Sequence, residues 1–239
     1  MKEKRRISVT ILRGCIVVVA IALIGGLMYV ANALVGNPIS GAIAKHEIEK
    51  YLDAVYPGSE IRSGGYSFTL TSYEYCSEID GELKYFGYHG KSKTISDRDF
   101  DSFSFEKFKE DLPGIKEKVE TDTMTIDGFM NAGVCADGNY SSDYEKMTQS
   151  GSLYLFIDST DAGVTSAQSK AAAAHATMQV LDALDASYNV RILNLIYTDR
   201  MDSYEIQLRD VPFTYAAVLE ELNQAKSHGK WSATNGIGE

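Results

Sequence analysis

Apolar and polar residues are distributed so that a short apolar segment precedes a much longer mixed one. Residues 14–35, GCIVVVAIALIGGLMYVANALV, contain no charged side chain. Roughly 20 apolar residues in a helix cross a bilayer core, and backbone groups in hydrocarbon must pair within their own segment. The pattern therefore predicts a transmembrane helix at residues 14–35. The alternative is a signal peptide cleaved after Ala33, because Ala31-Asn32-Ala33 has the small-residue spacing of a cleavage site.

Residues 37–120 predict a first folded unit, a helix followed by an antiparallel meander. Apolar side chains recur at helical spacing over residues 43–55, with charged residues on the other side. Over residues 61–90 apolar and polar residues alternate, as they do in half-buried strands, and Asp80-Gly81 is a strong hairpin signal. A second helical pattern, starting at Phe103, ends this unit.

Residues 152–226 predict a second unit with the element order β-α-β-β-α. Its first strand is a continuous apolar run, and Thr165 and Gln168 have the spacing of a capping box at a helix start. Between the two units, residues 121–151 are rich in Gly, Asp and Ser without a clear period, which indicates a linker or irregular insert. Residues 227–239 predict a flexible tail.

These patterns together predict an α+β fold class, with one N-terminal transmembrane helix followed by two small helix-on-antiparallel-sheet units. The segment that precedes the apolar stretch, residues 1–13, is a basic tail with five basic side chains and one acidic one. Positive charge beside a membrane segment stays in the cytoplasm. We therefore expect a single-pass protein of the cell membrane, with a cytoplasmic N-terminus and an extracytoplasmic C-terminal part.

The net charge of the residues after the apolar stretch limits the kinds of partner that the protein can bind. The residues after the apolar stretch carry 18 basic and 32 acidic side chains, a net charge of −14. Such a surface has no basic stripe to replace phosphate counterions, so nucleic acid is excluded as a partner. We expect contact with the lipid bilayer through residues 14–35 and, beyond it, with another membrane or cell-envelope protein.

Two cysteines follow the apolar stretch, Cys76 and Cys135. They are candidates for a disulfide, which an extracytoplasmic location permits, or for two buried free thiols. Neither cysteine opens a predicted helix whose dipole would lower its pKa. A thiol hydrolase is therefore not favoured.

The sequence contains no established signature of a metal or cofactor site. It has no C-x-x-C, no phosphate-binding glycine loop and no nucleophile elbow. The alternating Asp97, Asp99 and Asp101, and the oxygen-rich stretch at residues 137–145, are types of cluster that collect divalent ions. Neither has calcium-loop spacing, and polar turns are the simpler interpretation. We expect no metal, no cofactor and no catalytic residue.

Tyrosine is concentrated in the predicted meander. A tyrosine side chain combines a large apolar face with a hydrogen-bonding tip, which suits a surface that binds peptides or glycans. Cross-strand packing in a small sheet uses the same residues, so both interpretations stay open. The candidate recognition surface comprises Tyr66, Tyr73, Tyr75, Tyr85 and Tyr88.

The N-terminal part resembles a known family. A basic tail and an apolar stretch lead into Asn37-Pro38-Ile39-Ser40, and the following helix ends in Tyr51-Leu52-(x)₃-Tyr56-Pro57-Gly58. These features are similar to those of the YfjL-like membrane-anchored proteins of Gram-positive bacteria. The resemblance implies a first domain of the helix-on-sheet kind found in cystatin and PepSY modules. It implies no activity and supplies no catalytic motif.

We therefore expect a membrane-anchored extracytoplasmic module that binds or assists another protein without catalysing a reaction. The alternative is an anchored or secreted hydrolase whose catalytic residues are dispersed along the chain. His175, Cys135 and Asp137 are the residues whose substitution would separate the two hypotheses.

Overall fold

The computed structural model describes residues 18, 19, 23, 25, 26, 36–161, 165–184, 186–199, 202–209 and 212–228. The predicted basic tail, most of the predicted transmembrane helix at residues 14–35 and most of the predicted C-terminal tail lie outside these residues. Within the part of the chain that the structure describes, no helix combines the length and the apolar character needed to cross a membrane. This finding corrects the transmembrane helix of the predicted fold class.

Residues 36–97 contain one helix and four strands. Helix α1 begins after Asn37, whose side chain accepts a hydrogen bond from the Ile39 backbone N–H, and Pro38 occupies the first turn, where its missing N–H is not needed. The elements are α1 (Pro38–Val55), β1 (Ile61–Ser67), β2 (Ser72–Ile79), β3 (Glu82–His89) and β4 (Thr94–Asp97). The predicted hairpin is confirmed, because Asp80 and Gly81 join β2 and β3 with positive φ angles.

The described residues from 98 onward contribute three α-helices, one short 3₁₀ helix and four strands. The predicted capping box is confirmed: the Thr165 and Gln168 side chains satisfy each other's backbone N–H groups at the start of the third helix. The elements are α2 (Arg98–Val119), β5 (Met124–Cys135), a short 3₁₀ helix (Tyr144–Lys146), β6 (Gln149–Ser159), α3 (Ser166–Ala183), β7 (Tyr188–Thr198), β8 (Ser203–Arg209) and α4 (Tyr215–Gln224).

The described strands form one sheet, not the two separate sheets of the predicted fold class. Their order is β1-β2-β3-β4-β5-β6-β7-β8, and all neighbours are antiparallel except β6 and β7, which α3 connects. The join is β5, which lies in the stretch interpreted as a linker or irregular insert. Its C-terminal end pairs with β4 (Ile95 opposite Val134), and its whole length pairs with β6 (Met124 opposite Ser159).

Helices α1, α3 and α4 and most of α2 pack on one face of this sheet, and we call the other the open face. The first turns of α2 also reach the open face. Two buried clusters lie under the helices: one joins α1 to β2–β4, and the other joins α2, α3 and α4 to β5–β8. The alternate strand residues point the other way, and most of them remain partly or fully exposed. Side chains of the open face include Glu74, Tyr85, Ser96, Phe129, Tyr154 and Phe156.

A buried lysine ties two of the covering helices to the sheet. Lys170 of α3 is only 8% exposed, and its Nζ donates a hydrogen bond of 2.8 Å to the carbonyl oxygen of Leu222 in the last turn of α4. The same ammonium group lies 3.9 Å from the ring centroid of Tyr204 on β8. Lys170 therefore satisfies a carbonyl that the end of α4 leaves without a helical partner.

Replacing this lysine is expected to destabilise the fold. Lys170→Ala removes a charge-assisted hydrogen bond, a cation–π contact and buried packing, which together predict a loss of about 2–3 kcal/mol. Thermal and denaturant unfolding of the full chain in mild detergent, followed by circular dichroism, measures the loss. The matched control is Lys45→Ala, because Lys45 is exposed and forms only a surface ion pair with Glu49 at 3.6 Å. An equal change in both variants would contradict the structural role of Lys170.

Candidate functional site

The tyrosines of the predicted recognition surface do not share one face. Tyr73, Tyr75 and Tyr88 are 6–8% exposed and pack under α1 on the helix-covered face. Their side chains fill this core, and the hydroxyls of Tyr73 and Tyr75 donate to backbone carbonyls of the first residues around α1. Tyr66 is partly buried against the same cluster, whereas Tyr85 points to the open face and is 66% exposed. The structure therefore leaves Tyr85 as the exposed member of this set.

The two candidate disulfide cysteines are free in the structure. Cys76 lies on β2 and Cys135 ends β5, with β3 and β4 between them in the sheet. Three strand spacings amount to about 14 Å, which is more than a disulfide spans. The Cys76 Sγ lies 3.1 Å from the Ser63 Oγ, and burial raises the pKa of the Cys135 thiol. A raised pKa lowers the thiolate fraction, which does not suit a nucleophile.

A cleft of about 520 Å³ opens on the open face, between β2–β4 and the first turns of α2. The strand register places Glu74 opposite Gly87 and Gly87 opposite Ser96, so that three neighbouring strands contribute one residue each. A Cβ atom at Gly87 would lie 2.9 Å from the Glu74 carboxylate, so glycine makes room for this group. The cleft is lined by Glu74, Tyr85, Gly87, Ser96, Arg98, Asp101, Ser102, Phe105 and Glu106.

Helix α2 supplies the second wall because it begins immediately after β4. Asp97 caps the helix, with its Oδ1 accepting a hydrogen bond of 3.0 Å from the Asp99 backbone N–H. Positions three and four apart on a helix share a face. Arg98, Asp101 and Phe105 therefore project side by side toward the strands.

Asp101 is the carboxyl group of the cleft whose pKa is raised. Burial, and then the neighbouring charge of Asp97, raise its pKa to about 7, while the Asp97 backbone N–H acts in the opposite direction. Its Oδ1 atom is buried without a hydrogen-bond partner among the described residues. An unsatisfied buried oxygen acceptor costs free energy, and a hydrogen-bond donor that reached this oxygen would remove that cost.

The balance of charge in the cleft is negative. Glu74, Asp101 and Glu106 face a single cation, Arg98. Two exposed aromatic side chains stand beside them, Tyr85 at 66% and Phe105 at 44% exposure. Carboxylates next to aromatic faces are the combination that binds ammonium and guanidinium groups.

The aromatic surface continues beyond the cleft along the open face. The ring of Phe105 lies 6.4 Å from that of Phe129 on β5. Phe129 stacks on Tyr154 of β6, with ring centroids 4.6 Å apart and planes within 10° of parallel, and it also contacts Phe156. A ligand longer than one side chain therefore finds apolar and aromatic surface next to the acidic cleft.

A buried network behind the cleft holds the start of α2 in place. Asp97 is 2% exposed, and its Oδ2 accepts hydrogen bonds from the hydroxyls of Tyr51 at 2.7 Å and Tyr56 at 2.8 Å. The Tyr56 hydroxyl also lies 2.9 Å from that of Tyr144 in the β5–β6 connection. Burial is the largest cause that raises the pKa of both Tyr51 and Tyr56, so both stay protonated donors.

The three alternating aspartates therefore have three separate environments. Asp97 belongs to the buried network, Asp99 pairs with Lys84, and Asp101 lines the cleft. Within the described residues, no group of three His, Cys, Asp or Glu side chains has the arrangement of a metal site. Sequence reasoning singled out this triplet, but it did not find Glu74, Phe105 or the cleft, whose walls come together only through the register of β2–β4.

The raised pKa of Asp101 predicts a pH-dependent stability. An unfolded aspartate releases its proton at about pH 4, whereas Asp101 in the folded chain holds its proton up to about pH 7. The folded state therefore loses stability as the pH rises through this window, and the full penalty is present above pH 7. We expect Asp101→Asn to raise the thermal midpoint at pH 8 and to leave it unchanged at pH 4. Unfolding scans at both pH values check this, with the exposed Asp122→Asn as control; a gain at pH 4 equal to that at pH 8 would contradict it.

One family model matches this chain, and its match covers the N-terminal part. Residues 11–95 match the model described as the YfjL-like, N-terminal domain. The match begins at residue 11, just before the uncharged stretch, runs through α1 and the first three strands and ends within β4. No curated protein and no solved structure matches the chain significantly. Residues 11–95 thus form a segment similar to the YfjL-like N-terminal domain, and the family model does not extend over the rest of the chain.

Proposed function

We propose that this chain is a membrane-attached extracytoplasmic module that binds a cationic segment of another protein in the cleft of its open face. The observation that carries this proposal is the unpartnered Oδ1 of Asp101 in a cleft with two further carboxylates and two exposed aromatic rings. A lysine or arginine side chain supplies the donors that such a site lacks. Its alkyl part also packs on Tyr85 or Phe105.

Long-range charge supports the same class of partner. The residues after the apolar stretch carry a net charge of −14, so their field attracts cations and repels nucleic acid. An ion pair between a basic side chain and a fully exposed carboxylate adds little binding free energy. A partly buried carboxylate forms a stronger ion pair with the same side chain. The aromatic row at Phe129 and Tyr154 extends the contact surface, which favours a protein segment over a free small cation.

The membrane attachment in this proposal rests on the sequence of residues 14–35 and its basic flank. We place the following domain outside the cytoplasm, in the envelope of a Gram-positive bacterium, as the family resemblance implies. The partner is then a membrane or cell-envelope protein with an exposed basic segment.

A hydrolase is the second candidate, and one observation favours it. A carboxyl group with a pKa of about 7 in a cleft is suited to donate a proton near neutral pH, and Glu74 supplies a second carboxylate in the same cleft. The two functions differ in what Asp101→Asn does. It abolishes turnover in a hydrolase, whereas in a binding module it weakens the cationic ligand and no turnover exists to lose.

Binding of a basic probe peptide tests the cleft directly. We expect the full chain in detergent to bind a fluorescently labelled hexalysine peptide, and the double variant Glu74→Gln/Glu106→Gln to bind it about tenfold more weakly. Fluorescence anisotropy measures both affinities. The matched control is Glu82→Gln/Glu110→Gln, because both residues are exposed, lie outside the cleft and change the net charge equally.

The control separates a specific cleft from a general electrostatic effect. A change of less than about twofold in the control and about tenfold in the cleft variant supports the proposal. Equally weakened peptide binding in the two double variants would show that the affinity depends only on the net charge. The cleft would then not be the binding site.

The membrane attachment has its own test. We expect the full chain to float with phosphatidylcholine vesicles in a density gradient and to resist extraction at alkaline pH. Placing charges in the uncharged stretch, with Val19→Arg/Leu23→Arg, is expected to release the chain, because transfer of a charged side chain from water into lipid is unfavourable. The control Glu82→Arg/Glu110→Arg should float like the unmodified chain. Vesicle binding that survives Val19→Arg/Leu23→Arg would argue against attachment through residues 14–35.

A further inference from the structure

Four large apolar side chains are exposed at one end of the molecule. Two are in the first turns of α1, Ile39 and Ile43, which are 72% and 50% exposed. The other two are in the turn between β1 and β2, Phe68 and Leu70, each 58% exposed. We call the surface formed by residues 36–44 and 63–73 the apolar pole.

The two parts of the apolar pole are in direct contact. The hydroxyl of Tyr73 donates a hydrogen bond of 2.8 Å to the carbonyl oxygen of Asn37. Tyr66 lies opposite Tyr73 in the strand register, their ring centroids are 5.2 Å apart, and a Cβ on Gly36 would lie 2.7 Å from the Tyr66 ring. Phe68 is two residues beyond Tyr66, about 7 Å along an extended chain. The turn therefore lies beside the start of α1.

The apolar pole also lacks charge. Neither residues 36–44 nor residues 63–73 contain Asp, Glu, Lys or Arg, although 23% of the whole chain is charged. The first charged residues at its border are Lys45 on α1, Arg62 on β1 and Glu74 on β2. A net charge of −14 elsewhere after the apolar stretch would be repelled by anionic lipid, but the apolar pole carries no such penalty.

We infer that the apolar pole lies in the interfacial layer of a lipid bilayer, with Phe68, Leu70 and Ile39 inserted among the lipids. The inference rests on the membrane attachment in the proposed function. Residue 36 directly follows the uncharged stretch at residues 14–35, so the chain joins that stretch at the apolar pole itself. Tyr66 lies in the apolar pole and is only partly buried, and tyrosine is typical of protein surfaces at the level of the lipid headgroups.

A tryptophan reporter at the β1–β2 turn tests this inference in the full chain. Phe68→Trp is reconstituted in phosphatidylcholine vesicles with and without brominated phosphatidylcholine, which quenches only tryptophan close to the acyl chains. Leu83→Trp is the matched control, because Leu83 is 54% exposed on β3 and lies opposite Glu78, beside the β2–β3 turn at the other end of β2. The native Trp231 contributes the same background to both variants and is subtracted with the unmodified chain.

The inference predicts that brominated lipid quenches the added emission of Phe68→Trp at least about fivefold more than that of Leu83→Trp. Leu70→Trp provides an independent reporter with the same expected result. Equal quenching at Phe68 and Leu83 overturns the inference. Protection from aqueous iodide without quenching by brominated lipid also overturns it, because a protein, such as a second copy of this chain, then covers the apolar pole.

The same samples distinguish failure of this inference from failure of the membrane attachment. A chain that does not float with the vesicles overturns both. A chain that floats, but whose Phe68→Trp emission is quenched no more than that of the control, retains the attachment and loses only the inserted pole.

Discussion

The buried carboxyl group of Asp97 is the interaction on which the described fold most depends. It accepts hydrogen bonds from the hydroxyls of Tyr51 and Tyr56 and from the Asp99 backbone N–H, and it is 2% exposed. Burying such a group costs several kcal/mol unless donors compensate for lost water. The donors come from helix α1, from its C-terminal cap and from the start of α2. One side chain therefore fixes two helices against β4.

The candidate site follows from that constraint. Because Asp97 is also the N-cap of α2, its position determines which α2 side chains project toward β2–β4. Asp101 lies one turn further along, close enough for the charge of Asp97 to contribute to its raised pKa. The Tyr56–Tyr144 contact extends the network to the β5–β6 connection, so the wall of the cleft is supported from behind by three separate parts of the chain.

Local rules predicted one hairpin turn and one capped helix start of this chain, whereas the sheet depended on non-local contacts. Asp80-Gly81 and the Thr165–Gln168 capping box follow from backbone geometry alone, and both are present. Strand β5 was missed because Asp127, Gly128 and Asn131 interrupt its alternation and resemble loop residues. Its buried side chains still alternate, but only pairing with β4 and β6 makes this pattern visible.

The candidate site was less predictable than the fold for the same reason. The aspartate triplet was visible in the sequence, but its division among three environments depends on α2 starting at Arg98 and not at Phe103. Alternation places Tyr85 and Tyr88 on opposite faces of β3, yet it does not say which face the helices cover. The apolar stripe of α1 decides which face is covered. Packing of α1 buries Tyr88 and leaves Tyr85 at the cleft.

The geometry also connects the two proposed surfaces. Strand β2 begins at Ser72, in the apolar pole, and Glu74 of the cleft lies two residues further, about 7 Å along the strand. With the apolar pole in the lipid interface, as inferred above, the cleft lies within a short distance of the bilayer, where a basic segment close to the membrane surface can reach it. The low dielectric of nearby lipid strengthens charge pairing, so a cleft at this height binds a cationic side chain more tightly than the same residues would in open solvent.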